Sequence, residues 1–368
     1  MQHKYNLSAI IIKVTHDSSG VNPSVQILGK SMIDWVKLSL PNCPFELAQE
    51  DNRVELPVML RPYINADSKY TAVLYSDTPL LTKKTILDAL ATIENNGASV
   101  IKLTRGFIFN TEYLKSIDSF LLAESYFFDE EDFITATNFK QVAIISDILK
   151  NRILSYHMER GVQIEDTASV FIGPDVRIAK GVVIASNNTL KGETILKADV
   201  KLNVGNYLED AIIEQSAIIT SSQIYKSFIG NNTSVGPYAY IRPDTIIGSD
   251  CRIGNYVEIK ASIIGDGCKI SHLTYVGDCE MGDGCNIGCG VVFVNYDGKH
   301  KHKAKVGKNV FVGSNANVIA PIVISDGAFI AAGSTIQRDV EPGALAIARA
   351  RQVNKLNWGM NKYTEGLE

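Results

Sequence analysis

From residue 164 onward an aliphatic side chain returns at every sixth position. The series runs Ile164, Val170, Val176 and Val182, then, after a slip of two, Leu190, Leu196, Leu202 and Leu208. It strengthens through Ile229, Val235, Ile241, Ile247, Ile253 and Ile259, then Ile264, Ile270 and Val276, then Met281, Ile287 and Phe293. A final run is Val306, Val312, Val318, Ile324, Ile330 and Ile336. A period of six fits neither the 3.6 of a helix nor the alternation of an ordinary strand, and it predicts a parallel β-helix. Three short strands make one triangular coil, coils pair at about 4.8 Å, and the aliphatic column fills the prism axis.

This register places side chains on faces. With three repeats per coil, Ile253, Ile270, Ile287 and Val312 share one face, and Ile241, Ile259, Val276 and Phe293 the next. His272, Cys289 and Ser314 each follow the first column by two residues, so they form an outward row one coil apart. Arg242 and Lys260 each follow an Ile of the second column, two stacked cations with no carboxylate expected among them, as a phosphate clamp requires. Cys251, Cys268, Cys279 and Cys285 each lie two places before an aliphatic position, where a coil turns and takes a small side chain. Their spacing never forms a paired Cys-x-x-Cys, so packing is expected in place of zinc. Between Phe293 and Val306 the insertion VNYDGKHKHKAK leaves the prism as a polar loop whose Asn-Tyr-Asp-Gly is a turn sequence.

Upstream, LSAIIIKV, SMIDWVKLSL, YTAVLYSD, TKKTILDALATIENNG, ASVIKL and TEYLKSIDSFLL alternate strand-like and helix-like stretches, an α/β pattern. Residues 138 to 160 carry apolar side chains at helical spacing and read as a connecting helix with His157 on its surface. The expected organisation is an α/β domain over 1–137, a linker helix over 138–162, a β-helix over 163–345 and a tail over 346–368.

Composition narrows the functional classes. A net charge of −4, with 45% hydrophobic and 21% charged residues, gives no electrostatic footprint for nucleic acid or a membrane surface, so an anionic ligand must be held locally. The apolar run before Lys13 is too short for a signal peptide core, which leads us to expect a cytoplasmic protein. Six cysteines without an export signal argue against a disulfide framework.

The run RPDTIIG, GNYVEIKAS, SHLTYVGD, NIGCG, NYDG, VFVGSNANVIAP, AAGSTI and ALAIARARQ closely resembles the acetyltransferase half of the bifunctional N-acetylglucosamine-1-phosphate uridyltransferase / glucosamine-1-phosphate acetyltransferase family. The resemblance implies a left-handed β-helix and a homotrimer with active sites between subunits. It implies acetyl transfer from acetyl-CoA to the amine of glucosamine 1-phosphate. Position by position, it puts the general base on His272, the catalytic polar pair on Asn295 and Ser314, and sugar-phosphate contacts on Arg242, Lys260, Tyr275 and Asn286. Tyr296 lies beside the pair, and Lys301 matches a phosphate contact reaching across a subunit boundary. Cys289, Ser314, Ala332 and Arg349 match the coenzyme A channel. The assignment makes chemical sense: a sugar ammonium must lose a proton before it attacks a thioester, and a neutral imidazole can accept one near pH 7. No Gly-x-Ser-x-Gly elbow surrounds Ser314, and direct attack by the amine needs neither a serine nor a cysteine nucleophile.

The first half resembles the family's uridyltransferase domain in the order of its pieces: Pro23 to Val36, SDTPL at Ser76 to Leu80, RGFIFN and ATNFKQV. Asp77 and Asn138 match its Mg²⁺ ligands, although Asp77 could equally be a strand-end cap. Departures are marked. Where the family has a glycine-rich turn with an arginine and then a lysine, this chain has VTHDSSGVNPSV, with one glycine, Gly20, and Ser24 in the lysine's place. The domain is also shorter and reads as degenerate, so Mg²⁺ is expected only if it is active. A bifunctional enzyme and a non-catalytic trimeric scaffold or sugar-nucleotide-binding regulator are the alternatives.

Overall fold

The computed structural model describes residues 5–119, 124–125 and 128–360. The chain forms two compact units, Met1–Glu159 with Phe171–Pro174, and Arg160–Val170 with Asp175–Glu368.

In the first unit the strands Leu7–Lys13 and Tyr70–Tyr75 are apolar runs buried along almost their whole length, as parallel strands covered on both faces must be. They pair in parallel at the centre of a six-stranded sheet, with Phe45–Gln49 parallel on one side and Phe107–Asn110 antiparallel on the other. The segment RGFIFN thus supplies a strand. Helix Lys83–Asn96 starts at Thr82, whose side chain accepts from the Thr85 amide, and stops at Gly97, whose φ of 62° is the left-handed cap glycine adopts freely. Of TEYLKSIDSFLL only Thr111–Ser116 is helical, and 120–123 lie outside the described residues. Helix Phe139–Met158 packs Ile145 and Leu149 into a cluster with Val21, Ile27, Met32, Trp35 and Leu80 of the same unit. His157, expected on the surface, is 4% exposed: it shares the helix face of Leu149 and Leu154 rather than the polar one.

From Gln163 on, the chain forms a parallel β-helix of three sheets with ten, nine and eleven strands, strands pairing with their counterparts in the next coil. The two face assignments hold: Ile253, Ile270, Ile287 and Val312 pair in one sheet, Ile259 and Val276 in the next. The first coil corrects the register. Its strands are Phe171–Ile172, Arg177–Ile178 and Val183–Ile184, so the strand-borne column is Ile172, Ile178, Ile184 and Leu190, and the slip of two falls between Ile164, which pairs with Ile184, and Ile172. Val170, Val176 and Val182 sit two places earlier, at the corner position that is also buried and elsewhere holds Ala217, Ala239 or Val257. Two inward positions per repeat, both aliphatic here, cannot be told apart by period alone.

Cys251, Cys268 and Cys285 occupy that corner position, buried and free. Each thiol donates to a glycine carbonyl: Cys251 to Gly265 at 3.1 Å, Cys268 to Gly282 at 3.2 Å, and Cys285 to Gly307 at 3.1 Å. One coil earlier Thr233 makes the same bond to Gly248 at 2.7 Å. Cys268→Ser therefore keeps the bond and should cost under about 1 kcal/mol, while Cys268→Ala loses bond and volume and should cost about 1–2 kcal/mol. Chemical denaturation checks this; equal losses would reduce the thiol to filler.

Candidate functional site

One corner of the prism carries the candidate base. Asn255 and His272 are paired across adjacent coils, and Nδ1 of His272 lies 2.7 Å from Oδ1 of Asn255. A carbonyl oxygen only accepts, so the proton of this bond is on Nδ1, and in the neutral form of the exposed ring Nε2 carries the lone pair. The contact depends on Gly254, where a Cβ would meet the Ser271 carbonyl oxygen at 1.9 Å. Only glycine allows the two coils so close. The row continues outward as predicted: the Gly290 amide bonds the His272 carbonyl, Asn315 bonds Cys289, and Gly333 bonds Ser314, which puts Ala332 next. At about 4.8 Å per coil, Cys289, Ser314 and Ala332 extend about 14 Å from His272 along one edge.

The adjoining face gathers the charged groups. Arg242 is not free of acids as expected: its guanidinium meets Glu258 at 2.7 Å. Residues on either side of an inward Ile both point outward, so Glu258, before Ile259, lies diagonally opposite Arg242, after Ile241. Glu258 is a site residue absent from the sequence-based column, because it precedes its aliphatic residue where Arg242 and Lys260 follow theirs. Lys260 makes no ion pair among the described residues, although the Asp278 carboxylate acts on it from nearby. The neighbouring Lys301 ammonium, and then partial burial, hold its pKa below the usual lysine value. In the coil beyond Lys260 the matching position is Gly277, whose absent side chain leaves room for the Tyr275 hydroxyl and the Asn295 amide. Asn295 is 7% exposed and donates to Asp278 and, at 3.5 Å, to the Tyr275 hydroxyl.

The inserted loop is a short hairpin. Tyr296 bridges Lys301, the His302 amide bonds the Asn295 carbonyl, and Asp297 accepts the amides of Lys299 and His300. The amides, and then His302 at 2.7 Å, hold the Asp297 carboxyl well below its ordinary range. This hairpin delivers Lys301 to Lys260 of its own chain. Asn286 is not gathered with these groups: it lies in the eleven-stranded sheet between Lys269 and Phe311, on a different face from Tyr275. Arg349 is exposed just past Ala348, whose carbonyl accepts from Thr335.

In the first unit the proposed magnesium pair does not fit a metal. Both carboxylate oxygens of Asp77 are held by Arg105, and Oδ1 of Asn138 accepts from the Gln141 amide as a helix cap. Asp77 thus follows neither the magnesium reading nor the cap reading. Among the described residues no group of three or more His, Cys, Asp or Glu side chains is arranged to hold a metal, and no helix is long and apolar enough to cross a membrane.

Residues 226–261 and 303–338 match the family described as bacterial transferase hexapeptide (six repeats). The bifunctional protein GlmU of Clostridium novyi (strain NT) is 49% identical over 222 residues, covering 60% of this chain and 49% of that protein. The GlmU of Alkaliphilus oremlandii (strain OhILAs) is 45% identical over 238 residues, 64% of this chain and 52% of that one. The GlmU of Clostridium kluyveri is 41% identical over 228 residues, with 62% and 49% covered. The chain spans about half the length of the curated relatives it matches. Over about three fifths of its length this chain is similar to the bifunctional GlmU proteins, and within its prism residues 226–261 and 303–338 carry the hexapeptide repeat of bacterial transferases.

Proposed function

We propose that the β-helical unit transfers acetyl from acetyl-CoA to the amine of glucosamine 1-phosphate, with His272 as general base. The observation that carries this is the Asn255–His272 bond, which fixes the tautomer with Nε2 basic and exposed at the start of an open edge. Nε2 takes the proton the amine sheds as the N–C bond forms. The C–S bond then breaks, and the coenzyme thiolate leaves with that proton. Asn295, Ser314 and a backbone N–H near Tyr296 supply donors for the oxyanion. Lys260, Lys301 and Arg242 receive the phosphate, and the row Cys289, Ser314 and Ala332, with Arg349 beyond, receives the coenzyme. The separation of Asn286 from the Arg242 face supports a site completed by a second copy, as in a homotrimer.

The test is thiol release from acetyl-CoA with glucosamine 1-phosphate, glucosamine 6-phosphate and glucosamine as acceptors. Turnover without preference for the 1-phosphate would overturn the acceptor assignment. Asn255 gives a sharper check. Losing a bond of about 1–1.5 kcal/mol in the transition state, Asn255→Ala should slow kcat about 10-fold with KM unchanged. Asn255→Asp places a carboxylate against the imidazole, favours its charged form, and should move the acid limb of the pH–rate profile to higher pH. An unmoved limb would make Asn255 merely structural.

A further inference from the structure

We infer that the guanidinium of Arg105 is the resident cation at the carboxyl ends of the first unit's central strands, with Asp77 as its anchor, so that this unit has exchanged a metal site for an internal ion pair. Asp77 follows strand Tyr70–Tyr75 and His16 follows strand Leu7–Lys13, at the carboxyl ends of the two central parallel strands, where open α/β sheets form their clefts. The Asp77 side chain is 1% exposed. Nε of Arg105 donates to Oδ1 at 2.8 Å and Nη2 to Oδ2 at 2.7 Å, a bidentate fork, while His16 Nε2 stands 3.2 Å from Oδ2. A divalent ion needs those same lone pairs at about 2.0–2.1 Å in an octahedral shell, so fork and ion exclude one another. The guanidinium is fixed from behind by Tyr75, its carbon 4.4 Å from the ring centroid.

The chain is built to deliver this arginine. Gly106, at φ 118°, closes the turn with its carbonyl accepting from Leu103, and a Cβ there would meet the Val73 carbonyl oxygen at 2.6 Å. The turn thus presses against the central strand and leaves Arg105 over its end. The neighbouring loop is spent internally as well. Ser19 donates to the carbonyls of Thr137, at 2.7 Å, and His16, at 3.1 Å, while Asn22 accepts from the Ser24 amide and hydroxyl.

The inference is tested on the full-length chain by titrating Mn²⁺ and following its free EPR signal, with unfolding midpoints measured alongside. The expected result is no bound Mn²⁺ attributable to Asp77 and a midpoint unchanged by EDTA. One Mn²⁺ per chain, lost in Asp77→Asn, would overturn the inference. Asp77→Asn and Arg105→Gln should each lower the midpoint of the first unit by on the order of 5–10 °C, because each leaves a buried or half-buried charge unpaired. The double variant should fall no further than the worse single one. Additive losses, or an unchanged midpoint in Asp77→Asn, would sink the ion-pair assignment. If a variant fails to fold, the Mn²⁺ titration of the native chain still decides.

Discussion

Replacing His272 by alanine should lower kcat for acetyl transfer by about 10²–10⁴, the range a positioned general base supplies. KM for both substrates should stay within about threefold, because the ring acts on the proton in transit and not on the bound groups. Stability should hardly change, within about 0.5 kcal/mol, since the side chain is exposed and its hydrogen bond is to Asn255. The near-neutral effect on folding separates a chemical loss from a damaged prism. The pH profile makes the second half of the prediction. A base must be unprotonated, so the wild-type rate falls on the acid side as the imidazole takes up a proton, and the residual rate of His272→Ala should lose that limb. Steady-state kinetics from acid to neutral pH measures both. Full activity in the variant, or an acid limb that survives without the imidazole, would remove His272 from its proposed role.

How much of this was legible beforehand depended on which physical signal each feature leaves. The β-helix announces itself because one core position per repeat must be aliphatic, and twenty-odd repetitions of that demand cannot be hidden. The corner cysteines and the outward row of His272, Cys289 and Ser314 followed from the same count. The first coil misled because valines at its corners are as aliphatic as the strand centres. Asn255 and Glu258 stood inside the recognised run GNYVEIKAS, yet their roles come from the coil above or below, at a sequence distance of about one turn of the prism. The Arg105–Asp77 pair joins residues 28 apart through a turn whose geometry a glycine sets, and nothing local marks it. In each case the missing information was which coil or strand end faces which.

The last prediction concerns the phosphate. Lys260 and Lys301 hold two ammonium groups together, and this neighbour lowers the Lys260 pKa. An anion bound between them removes the repulsion and favours the charged form, so binding and charge support one another. Lys260→Met should therefore raise KM for glucosamine 1-phosphate by about 10- to 100-fold, corresponding to about 1.5–3 kcal/mol for a charge-assisted bond. KM for glucosamine, which has no phosphate, should stay unchanged. The chain itself should lose little stability, because the repulsion from Lys301 and Arg242 that the substitution removes offsets the attraction of Asp278 that it also removes. The sign of the pH effect is fixed as well. With its pKa below the ordinary value, Lys260 loses its proton earlier as pH rises, so KM for the phosphorylated sugar should climb at lower alkaline pH than an unperturbed lysine would give. In Lys260→Met this early rise should disappear. A variant that raised KM equally for glucosamine and its phosphate would show that Lys260 shapes the pocket without reading the phosphate.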